Sequence, residues 1–192
     1  TVRNEFQQSL TSRWRSVRGR NREWISGLNT PLQPADVLQR YRGNFYSIAM
    51  SEVVEQATDE QVDRGDHWTA SFVRQAYQKG LELAKRDLNS LTSVSNEAVE
   101  RATQFNDKDH QQELKNQYTR AYAKLESQVT SARDEVFDTF DALVSEGRSR
   151  THIIEETNSE IGGSIENNAR AHANVVVVRT VNMALLTAFE KA

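Results

Sequence analysis

The stretch "NVVVVRTVNMALLTAFEKA", residues 174–192, decides the fold class. Four consecutive valines suit a buried β-strand, yet strong helix formers follow them. Side-chain period separates the two cases. As a strand, one face carries Val176, Val178, Thr180 and Asn182 and the other Val175, Val177, Arg179, Val181 and Met183, so neither face is cleanly apolar. As a helix, Val177, Val178, Val181, Ala184, Leu185, Ala188 and Phe189 gather within about 140° of arc. His172, Arg179, Thr180, Asn182, Thr187 and Glu190 collect opposite them. Valine's helix penalty, a few tenths of a kcal/mol per residue, is small beside the gain from burial. The stretch therefore reads as a helix. Val175, Val176, Met183 and Leu186 intrude on its polar side, so the helix is apolar nearly all round and is expected to be buried on most sides. Arg179 then needs a carboxylate or carbonyl partner, because an unpaired buried charge is very costly. The expectation is an ion pair clamping two helices, with a ligand-binding role for Arg179 as the alternative.

The same periods carry the helical reading upstream. Phe6, Leu10, Trp14, Val17, Trp24 and Leu28 recur at helical spacings with one interruption. Pro31 and Pro34, the only prolines, follow Gly27 and mark the clearest break, with Pro34 suited to a first turn. Val37, Leu38, Tyr41, Phe45, Ile48, Ala49 and Val53 form the next stripe. "DRGD" (63–66) closes that helix, and Asp66 is placed to cap its successor. There Trp68, Phe72, Ala76, Leu83 and Leu88 lie near one face, with Tyr77, Gly80 and Ala84 beside them. Gly80 costs about 1 kcal/mol relative to alanine in mid-helix, which points to a close approach by another helix.

No glycine or proline occurs from Leu81 through Glu146. Ser95 is placed to cap a helix, and "NDKDH" (106–110) reads as a kink or tight turn. Beyond it, Tyr118, Tyr122, Leu125, Val129, Ala132, Val136, Phe140 and Leu143 follow a near-heptad seam. A continuous helix from there to Glu146 is about 55 Å long and must pack on another helix. Gly147 ends it. Thr151 is expected to cap a short helix through Ile161, Gly162 and Gly163 to stop that one, and Ser164 to cap the last. The fold expected is all-α, an elongated helical bundle with one long amphipathic helix and a buried C-terminal helix. Two parts are expected: a basic amphipathic N-terminal helix or arm over 1–30, and a helical domain over 31–192.

Composition sets further bounds. The 192 residues are 37% hydrophobic and 27% charged, with mean hydropathy −0.72, thin apolar content for a compact globule but well above the disordered range. Without cysteine, disulfides and thiolate metal sites are excluded. No apolar run of about 20 residues is seen, so neither a membrane span nor a membrane partner is expected. Thr1 in place of methionine and a last residue in mid-pattern read as trimmed ends. The net charge of −3 conceals an asymmetry. Residues 1–24 hold Arg3, Arg13, Arg15, Arg18, Arg20 and Arg22 against Glu5 and Glu23, a surplus of four, leaving −7 for the remainder.

Catalytic and metal chemistry find little footing. "HIIEE" (152–156) lacks the second histidine that a helical zinc motif needs. "RGD" (64–66) is explained as a turn. No glycine-rich phosphate loop, nucleophile elbow or carboxylate cluster occurs, so no enzyme activity and no cofactor are expected. The candidate interaction surface is the basic first helix, where Arg15, Arg18 and Arg22 share a face, with Arg13, Arg20, Trp14 and Trp24 nearby. Arginine at this density neutralises DNA phosphates without sequence preference, or docks an acidic protein surface.

"ARAHANVVVVRTVNMALLTAFEKA" resembles the signature helix of phage head morphogenesis proteins, the minor head proteins of Mu-like and related tailed phages. Arg179 and Thr180 match its first two positions, while Asn182, Leu186, Phe189 and Glu190 echo the rest. Its usual glutamate is Val181 here, so Glu190, or an acid on another helix, is left to serve Arg179 in the clamp. "WTASFVRQAYQKGLELAKRDL" resembles the aromatic-rich early helix of archaeal-virus members, and "SEGRSRTHIIEETNSEI" the short helix before the signature. The resemblance implies a structural virion component near the portal vertex, inside the capsid and present in several copies. It also implies binding to the portal or major capsid protein, contact with packaged DNA, and passage through the host cytoplasm during assembly. The competing reading is a cellular helical-bundle or coiled-coil adaptor without catalytic activity.

Overall fold

The computed structural model describes residues 1–28 and 34–192, with the side chains of 34–35 and 164–167 outside the description. The fold is all-α, with no strand among the described residues. The elements are α1 (Val2–Ser26), α2 (Pro34–Ala49) continued by a π turn (Met50–Val54), α3 (Asp59–Arg64), α4 (Ala70–Asn89), α5 (Asn96–Ala102), α6 (Lys108–Ser145) and α7 (Arg150–Lys191). Pro31 and the side chains of Pro34 and Ser164 lie outside the described residues.

The chain divides into two compact units, and not at residue 30. One holds Thr1–Phe6, Ala57–Ala123 and His172–Ala192; the other holds Gln7–Gln56 and Lys124–Ala171. Nor is α1 an arm. Phe6, Leu10, Trp14, Val17 and Ile25 are buried along one stripe, so the helix is a core element. The interruption in its pattern is Asn21, buried to 1% exposure where an apolar residue is expected. Trp24 is only half-buried, and Ile25 takes its place in the core.

In the first unit, α4 carries Val73, Tyr77, Leu81 and Ala84 into a core shared with Leu114, Tyr118 and Ala121 of α6 and Ala173, Val176, Ala184 and Ala188 of α7. Phe6 stacks on Phe72 with ring centroids 4.9 Å apart and meets Trp68 edge-on. Gly80 makes the close approach that its position implies. A Cβ there would lie 2.5 Å from the Val181 carbonyl oxygen and 2.6 Å from the Ala184 Cβ. His110 is fully buried and satisfied: its Nε2 donates to the Ala102 carbonyl at 2.8 Å, leaving Nδ1 to accept from the Tyr77 hydroxyl at 3.0 Å. Lys191, near the end of α7, pairs with Asp107 at 2.8 Å and with Asp109.

The second unit packs α1, α2 with its π turn, and the adjoining parts of α6 and α7. Tyr41 of α2 stacks on Phe140 of α6, with centroids 3.7 Å apart. The α6 seam follows its heptads through Leu125, Val129, Ala132, Val136 and Phe140, all buried, and then takes Val144 rather than the half-buried Leu143.

Several helix ends match their sequence signals. Ser95 accepts from the Ala98 N–H. Gly147, at φ 67°, ends α6, with the Gly147 and Arg148 N–H groups returning to Val144 and Leu143. Of "NDKDH", Asn106 and Asp107 lie in the turn between α5 and α6, and Lys108, Asp109 and His110 open α6. Other signals give way. "DRGD" ends the short helix α3, which the Thr58–Gln61 capping box opens. Asp66 does not cap α4, because its carboxylate is drawn back to Arg64 at 3.2 Å; the His67 ring accepts from the Thr69 N–H instead. Ser149 rather than Thr151 caps α7. Most consequentially, α7 runs unbroken through Gly162 and Gly163. Two glycines cost about 2 kcal/mol, less than the burial of Ile153, Ile161, Ala169 and Ala173 on either side gives back.

The C-terminal half of α7 is a helix, rotated from the expected face. His172, Ala173, Val176, Thr180, Ala184 and Ala188 are buried, while Val175, Val178, Leu186 and Phe189 are 44–55% exposed. Beside the backbone contact at Gly80 the inner arc carries the small side chains of Thr180, Ala184 and Ala188, because no room is left there for large ones. Arg179 falls on the outer arc. It is exposed, has no ion pair among the described residues, and does not clamp to Glu190, which is exposed as well. Contrary to the expectation of no membrane-length apolar run, α7 is long and apolar enough to cross a membrane, an 18-residue window averaging 1.3 in hydropathy with 33% of it buried in the protein.

Gly80→Ala, normally stabilising in a helix, should here destabilise the protein by about 1–3 kcal/mol, as overpacking does; a urea midpoint equal to or above wild type contradicts the close packing. Burial pushes the Tyr77 phenol up to about 12 from 10.0. Its folded pKa lies above its unfolded one, so its contribution is complete below pH 10 and is lost as pH rises toward 12. Urea midpoints followed from pH 9 to 11 should fall less steeply for Tyr77→Phe than for wild type.

Candidate polyanion-binding face

The basic face of α1 in the second unit separates into two sets with different partners. The first is structural. Arg13 donates to the Glu52 carbonyl at 3.1 Å and pairs with the Glu55 carboxylate at 2.9 Å. Arg20 pairs with the Glu52 carboxylate at 3.0 Å, which also accepts from the Ser16 hydroxyl at 2.6 Å. Glu55 sits at φ 54°, uncommon for a residue with a side chain, and its N–H closes the π turn on the Met50 carbonyl. Arg13 and Arg20 thus hold that turn against α1.

Arg15, Arg18 and Arg22 form the second set. They follow one another at three- and four-residue steps on one face of α1, as the sequence pattern specifies. With Gly19 and Asn158 they line a cleft of about 250 Å³. None has an ion pair among the described residues. Arg15 and Arg22 are exposed, and Arg18 is half-buried beside Gly162, where a Cβ would come within 3.3 Å of its guanidinium. From Arg15 the face continues into a second cleft of about 300 Å³ lined by Gln7, Gln8 and Thr11. Over roughly 22 Å of helix, the track offers amide, hydroxyl and guanidinium donors with no carboxylate among the lining residues. Such a row suits an extended anion better than a single small one.

The tryptophans do not join this track. Trp14 is 3% exposed and belongs to the core, and Trp24 packs on Tyr41 at 5.4 Å between centroids. Both pack inward because α1 has a full apolar stripe to bury.

Sequence reasoning missed the support beneath the cleft. Asn21 accepts from the Tyr41 hydroxyl at 2.9 Å and donates to Asn158 at 3.3 Å and Thr157 at 3.4 Å. Thr157 in turn donates to the Ile153 carbonyl at 2.7 Å. Burial drives the Tyr41 phenol well above its ordinary pKa, so it stays a donor to Asn21. The network fixes Asn158, a lining residue of the arginine cleft. Its one sequence signal is the missing apolar residue at 21.

No family model matches the chain, and no curated protein or solved structure matches it either.

Asn21→Ala removes the buried acceptor of the Tyr41 hydroxyl and the donor to Thr157 and Asn158, and should cost about 1–3 kcal/mol by urea denaturation. Unchanged stability contradicts the network.

Proposed function

We propose that this chain is a structural minor head protein of a tailed virus, acting at the portal vertex in head assembly and in genome packaging or delivery. It works by binding and positioning, without catalysis or cofactor. The likeness of α7 to the signature helix of phage head morphogenesis proteins supports this reading through Arg179, Thr180, Asn182, Leu186, Phe189 and Glu190. The observation that carries it in physical terms is the track of Arg15, Arg18 and Arg22, three cations on one helix face without carboxylate partners among the described residues. A polyanion is the natural complement of such a track. Inside a head, that is packaged DNA or an acidic surface of the portal or capsid shell. Several copies would stand around the portal.

The first test is binding to duplex DNA over a range of salt. Three phosphate contacts give a slope of log affinity against log salt of about −2.7. Changing Arg15, Arg18 and Arg22 together to alanine should bring the slope close to zero while helicity is kept. A flat dependence in the wild type removes DNA as the partner. The second test is co-purification with a portal ring under assembly conditions; failure there together with a flat salt dependence overturns the reading.

A further inference from the structure

We propose that two copies of this chain pair through the outer face of α7, antiparallel, about a two-fold axis at Asn182. Val175, Val178, Leu186 and Phe189 are 55%, 54%, 55% and 44% exposed, and exposed Asn182 lies between them on the same face. The steps along the stripe are three, four, four and three residues, a spacing that reads the same in both directions. A two-fold interface requires a patch complementary to itself, and this one is. In the antiparallel register Val175 meets the partner's Phe189, Val178 meets the partner's Leu186, and Asn182 meets its own counterpart. An amide carries both donor and acceptor, so two facing asparagines satisfy each other, and a polar residue within an apolar seam fixes the register.

The charges agree with this arrangement. Arg179 and Glu190 are both exposed and flank the same side of the stripe, without ion pairs among the described residues. Like flanks meet in an antiparallel helix pair. Helical side chains lean toward their own N-terminus, so Arg179 and the partner's Glu190 lean toward each other across an axial offset of about 7.5 Å. Two symmetric pairs result. A bilayer is the poorer occupant, because Arg179, Asn182 and Glu190 are expensive in hydrocarbon. The stripe is about 21 Å long and buries less than a standard interface, so the dissociation constant should be on the order of 10–100 µM.

The chain has no cysteine, so single introduced thiols report the register. Under oxidation at about 100 µM, near the expected dissociation constant, Asn182→Cys should give a disulfide-linked dimer. Val175→Cys alone should not, whereas a mixture of Val175→Cys and Phe189→Cys chains should. In sedimentation equilibrium the wild type should dimerise reversibly and Leu186→Glu should be monomeric with unchanged helicity. Arg179→Glu and Glu190→Arg should each weaken the dimer about threefold or more, and their combination should restore it. A wild type monomeric at every concentration with unlinked Asn182→Cys overturns the proposal. Val175→Cys linking to itself as readily as Asn182→Cys overturns the antiparallel register. Stripe-dependent binding to phosphatidylglycerol vesicles without dimerisation reassigns the face to a membrane and overturns the proposal equally.

Discussion

The contact between Gly80 and the backbone of α7 is the constraint on which the first unit depends. With no side chain at that point, the Val181 carbonyl and Ala184 come close enough to forbid even a methyl group. Such proximity leaves space only for small side chains on the inner arc beside Gly80, and Thr180, Ala184 and Ala188 supply them. Once that arc is inward, the 100° step of the helix sends Val175, Val178, Leu186 and Phe189 outward, and Arg179 with them. A patch with functional potential thus follows from a packing choice made on the opposite side of the same helix.

The second unit rests on a comparable division of labour within α1. Its apolar stripe holds the helix in the core, and Asn21 interrupts that stripe to gather Tyr41, Thr157 and Asn158 into one buried network. The arginines divide by geometry: Arg13 and Arg20 pair with Glu55 and Glu52, and Arg15, Arg18 and Arg22 have no ion pair among the described residues. Charge count alone would treat all five residues from Arg13 to Arg22 as one patch. Arg15, Arg18 and Arg22, without ion pairs among the described residues, are the ones placed to meet a partner's anions.

Much of the fold was legible because strong local signals coincide with tertiary demands. The α6 heptads, the Ser95 cap, the Gly147 stop and the close approach at Gly80 are of this kind. Where signals are weak beside burial, reading by pattern fails. Gly162 and Gly163 look like a stop, yet each costs about 1 kcal/mol, and neighbouring apolar residues outweigh it. The rotation of α7 was illegible for a different reason. A helix apolar nearly all round carries no preferred face in its sequence, so size rather than hydrophobicity decides, and Arg179 was assigned a burial it does not have. The basic face was legible as Arg15, Arg18 and Arg22. Its supports were not, since pairing to Glu52 and Glu55 and the Asn21 network join residues far apart in the chain.

The rotation of α7 links the packing at Gly80 to every surface argued from that helix. A cysteine-accessibility scan tests it most directly, with single cysteines from residue 173 to 189 in the otherwise thiol-free chain and alkylation rates measured under native conditions. Fast labelling is expected at 175, 178, 182, 186 and 189, and slow labelling at 173, 176, 180, 184 and 188. Protection at 178 and 189 with fast labelling at 176 and 180 would contradict the account, and would return the helix to the face that its hydrophobic pattern alone suggests.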